Sequence, residues 1–290
     1  MQAIRSRSGV ASLRVPYRVF GVCIFGYATQ EVPSHRAAGS IVDMTAAETW
    51  ETVRSFSEWY HCIEVAPGIV TPGINNGGET LRHLAIPADL RGKRVLDLGA
   101  RDGYFSFEMA RRGAEVLAID YFPKERTGFA IAAKLLNMDV PYRQENIYDL
   151  SPEELGQFDL ILFLGLLYHL PDPLLALEKV RLLCRDLLCV ETYAIDNHVV
   201  LKDGTAARLA DVAPQLSGVP IMQFYPCGSL NNDGTNFWGP NVACIKAMLA
   251  QSNFVVDSST LLGDRAILNC RLTQGGAAEY FNAIARGLPP

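Results

Sequence analysis

The chain has 290 residues, enough for one large domain or two small ones whose core needs no disulfide or metal. Its 49% hydrophobic and 20% charged residues exclude a disordered, collagenous or low-complexity protein. A net charge of −5 provides no global positive field for a nucleic acid, and apolar runs over 19–28 and 160–168 are too short to span a membrane. Seven scattered cysteines favour reduced thiols in a cytoplasm.

The first 43 residues differ from the rest in charge. They carry five arginines against two acidic residues, a local charge of +3, so the remainder is more acidic than the whole chain. Pro16 and Arg18 interrupt the apolar stretch that an export signal needs. We predict a dispensable, poorly structured arm over 1–43.

Helical signals follow this arm. Thr45 and Glu48 form a capping-box pattern, which predicts a helix from 45 to about 59. Two prolines and four glycines argue against regular structure over 66–78, and a second helix is predicted over 79–85.

From residue 94 onward, short apolar strands alternate with helices. The predicted strands are 94–98, 115–120, 142–147, 158–164 and 187–191. The predicted helices are 104–112, 124–136, one that begins at Asp172-Pro173, and 241–252. Strands 254–258 and 265–272 are expected to close the sheet, the latter as an antiparallel edge pair. The pattern predicts an α/β fold with a Rossmann-like, doubly wound, seven-stranded mixed sheet.

Ligands of such sheets bind beyond the carboxyl ends of the strands, where the loops after each strand converge. The fifth strand is followed by an insertion over 192–240, and insertions of this length are usually lids or binding elements. Its aromatic and amide-rich end includes Phe237 and Trp238, which are candidate substrate-binding residues. A structural flap packed on the domain is the alternative.

The loop after the first strand carries the strongest motif, DLGARDG over 97–103. Glycines at 99 and 103 permit a sharp turn and close approach of a ligand to the backbone. Arg101 and Tyr104 stand where a dinucleotide fingerprint needs small residues, so a pyrophosphate ligand is disfavoured. Asp120, at the end of the second strand, can accept both hydroxyls of a ribose. Together these features predict a nucleoside that carries an amino acid.

Over residues 95–272 the chain therefore resembles the class I S-adenosylmethionine-dependent methyltransferases. FLGLLYHLPDP over 163–173, VETYAID over 190–196 and FWGPN over 237–241 resemble the branch that contains the tRNA wobble-uridine carboxymethyltransferase. The resemblance implies S-adenosylmethionine as cofactor, with Asp97, Gly99 and Gly103 around the methionine, Asp120 at the ribose, and Asn146 and Ile147 at the adenine edge. Leu98, Ala100, Arg101, Tyr121 and Gly165 complete the predicted cofactor-binding set.

Two departures from that branch matter. Arg101 replaces the usual middle glycine; it meets the methionine carboxylate or points to solvent, and both interpretations stay open. The tRNA enzyme holds a carboxylated cofactor partly through a lysine, whereas residues 64–68 here contain no basic side chain. We therefore expect ordinary S-adenosylmethionine, because an extra buried carboxylate without its cation is costly.

The predicted catalytic residues follow the fourth strand. His169 is the candidate base for a hydroxyl, with a structural bond to backbone at the following helix as the alternative. Tyr168 orients the acceptor or sulfonium, or closes the pocket. Further candidate substrate-binding residues are Glu191, Tyr60 and His61, the last two placed at the end of the first helix with core packing as their alternative. No metal is expected, since carboxylates do not cluster after strands four and five.

These features predict a cytoplasmic methyltransferase that acts on a hydroxyl of a small metabolite, such as a sugar or natural-product intermediate. A tRNA-modifying enzyme is the second hypothesis and a catalytically silent cofactor-binding protein the third. No membrane partner is expected, and the sequence does not determine the oligomeric state. The predicted units are an arm over 1–43, a helical cap and linker over 44–90, a cofactor-binding domain over 91–275 with an acceptor-binding insertion, and a tail over 276–290.

Overall fold

A computed structural model describes residues 44–273 of the chain, so the predicted arm over 1–43 and tail over 276–290 lie outside the described residues. Among the helices of this part, none is long and apolar enough to cross a membrane.

A seven-stranded mixed sheet forms the centre of the fold. Its strands in chain order are β1 (Arg94–Leu98), β2 (Glu115–Asp120), β3 (Tyr142–Gln144), β4 (Phe158–Leu164), β5 (Cys184–Tyr193), β6 (Phe254–Leu262) and β7 (Arg265–Leu272). Their spatial order is β6-β7-β5-β4-β1-β2-β3. The five strands from β5 to β3 are parallel, and β7 is antiparallel to both of its neighbours. The predicted fold class is confirmed. The predicted antiparallel edge pair is also confirmed: β6 and β7 close one edge of the sheet, with β7 between β6 and β5, and β3 forms the opposite edge.

Helices connect the strands and cover the sheet. In chain order they are α1 (Ala46–Arg54), α2 (Gly77–His83), α3 (Tyr104–Arg111), α4 (Phe129–Leu136), α5 (Pro152–Leu155), α6 (Pro173–Leu183), α7 (Leu209–Val212) and α8 (Val242–Gln251). Asp172 caps α6 by accepting the Leu175 N–H at 3.0 Å, as expected of an aspartate before proline. Asn241 caps α8 in the same way, accepting the Cys244 N–H at 2.8 Å.

The core lies on both faces of the sheet because successive side chains of a strand point to opposite sides. Leu96 and Ile161 face one side, where buried residues of α6 and α8 such as Leu177 complete a cluster. Val95 and Leu160 face the other side and belong to the cluster that includes residues of α1, α3 and α4. Double-sided burial is the reason that apolar residues stand at successive positions in β1 (Val95 and Leu96) and in β4 (160–164).

The N-terminal segment departs from the sequence prediction in two places. The capping box forms, with the Thr45 N–H 2.7 Å from Glu48 Oε2, but α1 ends at Arg54 instead of about 59. The chain turns back there, and Trp59 Nε1 donates to the Val53 carbonyl at 2.9 Å. The expectation of no regular structure over 66–78 is wrong.

Two elements occupy that stretch. A hairpin joins strands Glu64–Ala66 and Ile69–Val70, and α2 begins at Gly77 rather than at 79. Pro and Gly form the two-residue turn of the hairpin, in which Gly68 has a φ of 72°. This pair suits a tight turn between paired strands. Proline and glycine therefore mark the turn here, and the residues on either side of them still form strands.

Several boundaries inside the domain also move. The predicted helix 124–136 divides into a 3₁₀ turn, Lys124–Arg126, and α4. β3 ends at Gln144 because Asn146 accepts the Tyr148 N–H at 3.1 Å and caps a 3₁₀ turn. β5 is longer than 187–191, and β6 extends past 258 to Leu262, because the long antiparallel β7 pairs with both.

Since β5 continues to Tyr193, the insertion begins at residue 194 and not at 192. It contains two small antiparallel pairs, Val199–Val200 with Ala206–Ala207 and Met222–Phe224 with Trp238–Pro240. A separate apolar cluster joins it to the sheet edge; its buried members are Tyr168, Tyr193, Ile195, Leu209, Tyr225 and Leu230. The insertion is therefore a packed element with its own core.

Candidate active site

The turn after β1 has an unusual backbone. Gly99, Arg101 and Gly103 have φ values of 77°, 52° and 89°, in the left-handed region that favours glycine. At Gly103 a Cβ atom would also lie 2.5 Å from the Phe107 ring, so both conformation and packing require glycine. A Cβ atom at Gly99 would make ordinary van der Waals contact with the Leu166 side chain, at 3.5 Å or more, so here the positive φ and not packing favours glycine.

Asp120, at the end of β2, faces this turn. Its Oδ2 accepts the Arg101 N–H and its Oδ1 the Phe122 N–H, both at 2.9 Å. The first bond helps to hold Arg101 in its left-handed conformation, which costs a non-glycine residue about 1–2 kcal/mol. The carboxylate is buried and oriented by backbone groups. The Arg101 guanidinium forms no ion pair with any residue from 44 to 273.

Asp97, near the end of β1, is a second buried carboxyl group. Ser106 Oγ on α3 donates to its Oδ2 at 2.6 Å. Burial raises the pKa of Asp97 to about 6, and Asp120 adds to the rise while the Ser106 hydrogen bond and His61 oppose it. Asp97 therefore titrates within two pH units of neutrality.

Asp102 anchors the N-terminal segment to the turn, a role that the sequence analysis missed. The buried carboxylate accepts the N–H groups of Tyr60 and His61 at 2.8 and 2.9 Å and also pairs with His61 Nδ1. The His61 ring stacks on Tyr104, with centroids 5.8 Å apart. Both candidates therefore lie beside the turn on an extended segment, and not at the end of α1 as predicted. The second aspartate of the DLGARDG motif was the only sequence signal for this contact.

Three of the predicted cofactor-binding residues lie after β2 and β3, and two of them, Asn146 and Ile147, were predicted at the adenine edge. Tyr121 is 67% exposed, and its carbonyl accepts the Gln144 side-chain amide at 3.1 Å. Ile147 is buried, and the Asn146 side-chain oxygen is bonded to the backbone of its own turn. The structure thus brings these three residues to the same sheet edge as Asp120.

Glu191 and Arg265 form an ion pair on the other half of this edge. Arg265 binds Glu191 through two donors, with Nη2 2.8 Å from Oε2. Its guanidinium carbon also lies 4.8 Å from the centroid of the Tyr168 ring. Burial lowers the pKa of Arg265, but Glu191 and the Tyr168 hydroxyl outweigh burial and raise it above its ordinary value. Sequence reasoning missed Arg265, because its partner lies 74 residues away and only the β5–β7 pairing joins them.

Tyr168 and His169 lie together on a 3₁₀ turn after β4, Leu167–His169. Gly165, with a φ of 71°, begins the loop and donates its N–H to the Glu191 carbonyl at 2.8 Å. Tyr168 is buried, which raises its pKa, and Arg265 opposes the rise. Burial lowers the pKa of His169 below the ordinary 6.5, because a partly desolvated imidazolium is disfavoured.

The insertion completes the surroundings of His169. His169 Nδ1 lies 2.9 Å from Thr235 Oγ1 and 3.2 Å from the Thr235 carbonyl oxygen, so the histidine binds the insertion rather than helix α6. The Phe237 N–H donates to the Tyr168 carbonyl at 3.0 Å, and Trp238 Nε1 donates to the Pro171 carbonyl at 3.2 Å. Both candidate aromatics thus connect the insertion to the loop after β4.

Residues 78–257 match the methyltransferase-domain family. This match covers more than half of the chain. The chain belongs to this family. The predicted S-adenosylmethionine-dependent methyltransferase is thereby confirmed, with S-adenosylmethionine as its cofactor.

Among the curated relatives of this methyltransferase is the ubiquinone biosynthesis O-methyltransferase of Xanthomonas oryzae pv. oryzae. It is 38% identical over 93 residues, which are 32% of this chain and 39% of the relative. The chain therefore matches about two fifths of the length of that relative.

Solved structures share the fold. The N-terminal domain of EvdMO1, crystallised in the presence of SAH and D-fucose, has a TM-score of 0.54 and 19% identity, covering 79% of this methyltransferase and 98% of that chain. A putative S-adenosylmethionine-dependent methyltransferase from Listeria monocytogenes has a TM-score of 0.51 and 16% identity, with 68% and 97% covered.

Proposed function

We propose that this methyltransferase methylates a hydroxyl oxygen of a small metabolite, a sugar or natural-product intermediate, with His169 as the base. The observation that carries the proposal is the bonding of His169 Nδ1 to two oxygens of Thr235, which leaves Nε2 to accept a proton. The lowered pKa of His169 keeps the imidazole neutral at pH 7. A base is needed for an alcohol acceptor, because an alcohol is a weak nucleophile until its proton is removed.

The residues after β1 and β2 fit the cofactor. The Asp120 carboxylate is oriented by backbone N–H groups toward the turn, as a ribose site needs, and glycines at 99 and 103 keep the turn free of side chains at those positions. Leu98 and Ala100 flank this glycine, and Gly103 begins the helix beyond it. Asp97 is placed to accept from the methionine ammonium group, with Arg101 beside the turn.

On the adenosine side we assign Tyr121, Asn146 and Ile147 to the base. Gly165 and the turn after β4 face the reacting groups. When bound, S-adenosylmethionine supplies an electrophilic methyl carbon and leaves as S-adenosylhomocysteine. The role of the protein is then to hold the acceptor oxygen in line with the methyl group, a form of positioning that can supply roughly 7–11 kcal/mol.

The acceptor site is proposed between the turn after β4, the end of β5 and the insertion. His169 Nε2 removes the hydroxyl proton, while Tyr168, fixed by Arg265, orients the acceptor. Glu191 is bound to Arg265 and so acts through the position of that side chain. Tyr60 and His61 border the cofactor side, and Phe237 and Trp238 form the wall contributed by the insertion. The similarity to an O-methyltransferase supports an oxygen acceptor.

The direct test is incubation of the protein with methyl-labelled cofactor and pools of hydroxylated metabolites, followed by identification of the labelled product. His169→Ala is expected to lower the turnover number by about 10²–10⁴-fold while the cofactor Kd changes less than twofold. His83→Ala, on α2, is the matched control and should leave both values unchanged. Equal loss of turnover and cofactor affinity in His169→Ala would contradict the base assignment.

A tRNA acceptor is the second candidate, suggested by the resemblance of the segments around 163–173. The acidic character of residues 44–290 opposes it, as does the absence of a basic residue over 64–68. Transfer to tRNA would weaken steeply as salt rises, since each phosphate contact releases counterions, and a carboxylated cofactor analogue would bind better than S-adenosylmethionine. We expect neither result. A silent cofactor-binding protein would form no labelled product with any pool.

A further inference from the structure

We propose that Asp233 and Thr235 are positioning residues that fix the ring proton of His169 on Nδ1 and so keep Nε2 free to accept the acceptor proton. The inference deepens the proposed function and rests on it. It assigns to the insertion a part in the chemistry as well as in acceptor binding.

The direction of the hydrogen bonds carries the inference. Thr235 Oγ1 donates to Asp233 Oδ1 at 2.7 Å, and the Thr235 N–H donates to the same oxygen at 2.8 Å. An ionised carboxylate only accepts, so the hydroxyl proton of Thr235 points to Asp233. Thr235 Oγ1 therefore offers a lone pair, and not a proton, to His169 Nδ1 at 2.9 Å.

The backbone carbonyl of Thr235 likewise requires a donor at His169 Nδ1. Its carbonyl oxygen, 3.2 Å from His169 Nδ1, is an acceptor without a proton. An unprotonated Nδ1 would face two oxygen lone pairs without a donor between them. Both contacts are satisfied only when Nδ1 carries the proton, and the neutral ring then has its unprotonated nitrogen at Nε2.

Two histidines of the molecule show why a threonine stands between carboxylate and ring. His61 pairs directly with the buried Asp102 carboxylate, as expected of a structural ion pair or strong hydrogen bond. At His169 the neutral Thr235 hydroxyl separates ring and carboxylate. The Thr235 hydroxyl thereby orients the ring, while Thr235 stands between the ring and the charged carboxylate of Asp233. The ring therefore remains neutral near pH 7.

The charged groups around His169 are consistent with that state. Burial lowers the pKa of His169, Asp233 and Glu191 raise it, and Arg265 lowers it, with a net decrease. Burial raises the pKa of Asp233, but the hydroxyl and the N–H of Thr235 that donate to it, and to a smaller extent His169, lower it below the ordinary 3.8, so Asp233 stays ionised at neutral pH. Near neutral pH, His169 is therefore neutral and able to act as a base while Asp233 is ionised and accepts the Thr235 hydroxyl proton.

The insertion holds this relay rigidly enough to orient the ring. The Asn236 N–H donates to the Asp233 carbonyl at 3.2 Å, and the Asn236 side-chain amide donates to the Leu230 carbonyl at 3.0 Å. The N–H of the next residue, Phe237, donates to the Tyr168 carbonyl. The turn over 233–235 is thus tied to the apolar cluster of the insertion and to the loop that carries His169.

Imidazole ¹⁵N chemical shifts and kinetics of Thr235→Val, with Thr235→Ser as rescue, test the proposal. In the wild-type protein near pH 8, Nδ1 of His169 is expected to be protonated and Nε2 unprotonated. Valine keeps the carbonyl contact and the approximate shape but removes the hydroxyl, so the preference for a proton on Nδ1 should weaken measurably, and the turnover number should fall about tenfold, the cost of one hydrogen bond. Serine restores both within about twofold, and the cofactor Kd is unchanged in each variant.

Asp233→Asn provides a second probe that preserves the size of the side chain. Its amide can donate to Thr235 Oγ1 and turn the hydroxyl proton toward the ring, so the tautomer ratio shifts without loss of the fold. A wild-type spectrum with the proton on Nε2, or unchanged tautomers and turnover in both Thr235→Val and Asp233→Asn, would overturn the proposal. If no hydroxyl acceptor is methylated, the proposed function fails, whereas the ¹⁵N shifts still decide whether the relay fixes the ring.

Discussion

The two halves of the sheet edge are built by different means; the one that we propose binds the cofactor is called the cofactor half, and the one that we propose binds the acceptor is called the acceptor half. On the cofactor half, backbone N–H groups orient the key carboxylate, and the bonds at Asp120 connect residues only 2 and 19 positions away. On the acceptor half, side chains from distant parts of the chain bind one another: His169 binds Thr235 and Glu191 binds Arg265, across separations of 66 and 74 positions. The cofactor half lies close to the backbone of two adjacent strands, whereas the acceptor half depends on β7 and the insertion.

The two halves are expected to differ in how many substitutions they tolerate. A turn made of glycine conformations and backbone bonds tolerates few substitutions but serves any acceptor. A network of side chains can be exchanged piece by piece, so we expect acceptor specificity to be set in the acceptor half. Substitutions in one half are therefore expected to leave the other half largely unaffected, since distant independent sites act additively.

The largest expected effect separates the halves through stability. Glu191→Gln leaves the mostly buried Arg265 guanidinium without its anion, and the free energy of unfolding should fall by about 3 kcal/mol. The cofactor Kd should stay within twofold, as measured by calorimetry. Asp257→Asn is the matched control, because Asp257 also binds an arginine of β7 through two donors but is exposed, so its loss should lower the free energy of unfolding much less. Equal losses would show that burial of the pair is unimportant.

Asp120→Ala addresses the cofactor half. Loss of charge-assisted hydrogen bonds to the ribose should weaken cofactor binding by about 1.5–3 kcal/mol, or roughly 10- to 150-fold in Kd. The exposed Asp139 provides the control Asp139→Ala, for which calorimetry should give the wild-type Kd. An unchanged Kd in Asp120→Ala would refute the ribose assignment.

Asp97 gives the smallest effect, and it depends on pH. Its carboxylate must be ionised to accept from the methionine ammonium group, so with a free-protein pKa of about 6 the cofactor Kd should rise about tenfold from pH 8 to pH 5. The stability of the cofactor-free protein changes in the opposite sense. Because the folded pKa lies above the ordinary 3.8, the contribution of this group is fully present below pH 3.8 and is lost as pH rises through about 6. Asp97→Asn should flatten both profiles; a wild-type Kd independent of pH would contradict the assignment.

The succession of elements along this chain was predictable because each follows from local chemistry. Buried parallel strands read as apolar runs, and Asp172-Pro173 marks a helix start whatever packs against it. β7 was predicted with its observed bounds and as part of an antiparallel edge pair, whereas its pairing with β5 was not predicted, because an apolar strand pattern does not state which strand lies on its other side. The hairpin at Pro67-Gly68 was missed because a turn signal does not state whether the flanking residues pair.

By itself, the sequence determined the α/β fold, the cofactor loop and the carboxylate facing it, since glycine conformations and strand ends are local properties. Only the tertiary structure decided the partners of the side chains: Asp102 with His61, Arg265 with Glu191, and Thr235 with His169. The physical reason is range. Backbone conformation is set by neighbouring residues, whereas a hydrogen bond between side chains needs two groups within about 3 Å, and for residues far apart in sequence that proximity exists only after the sheet has formed.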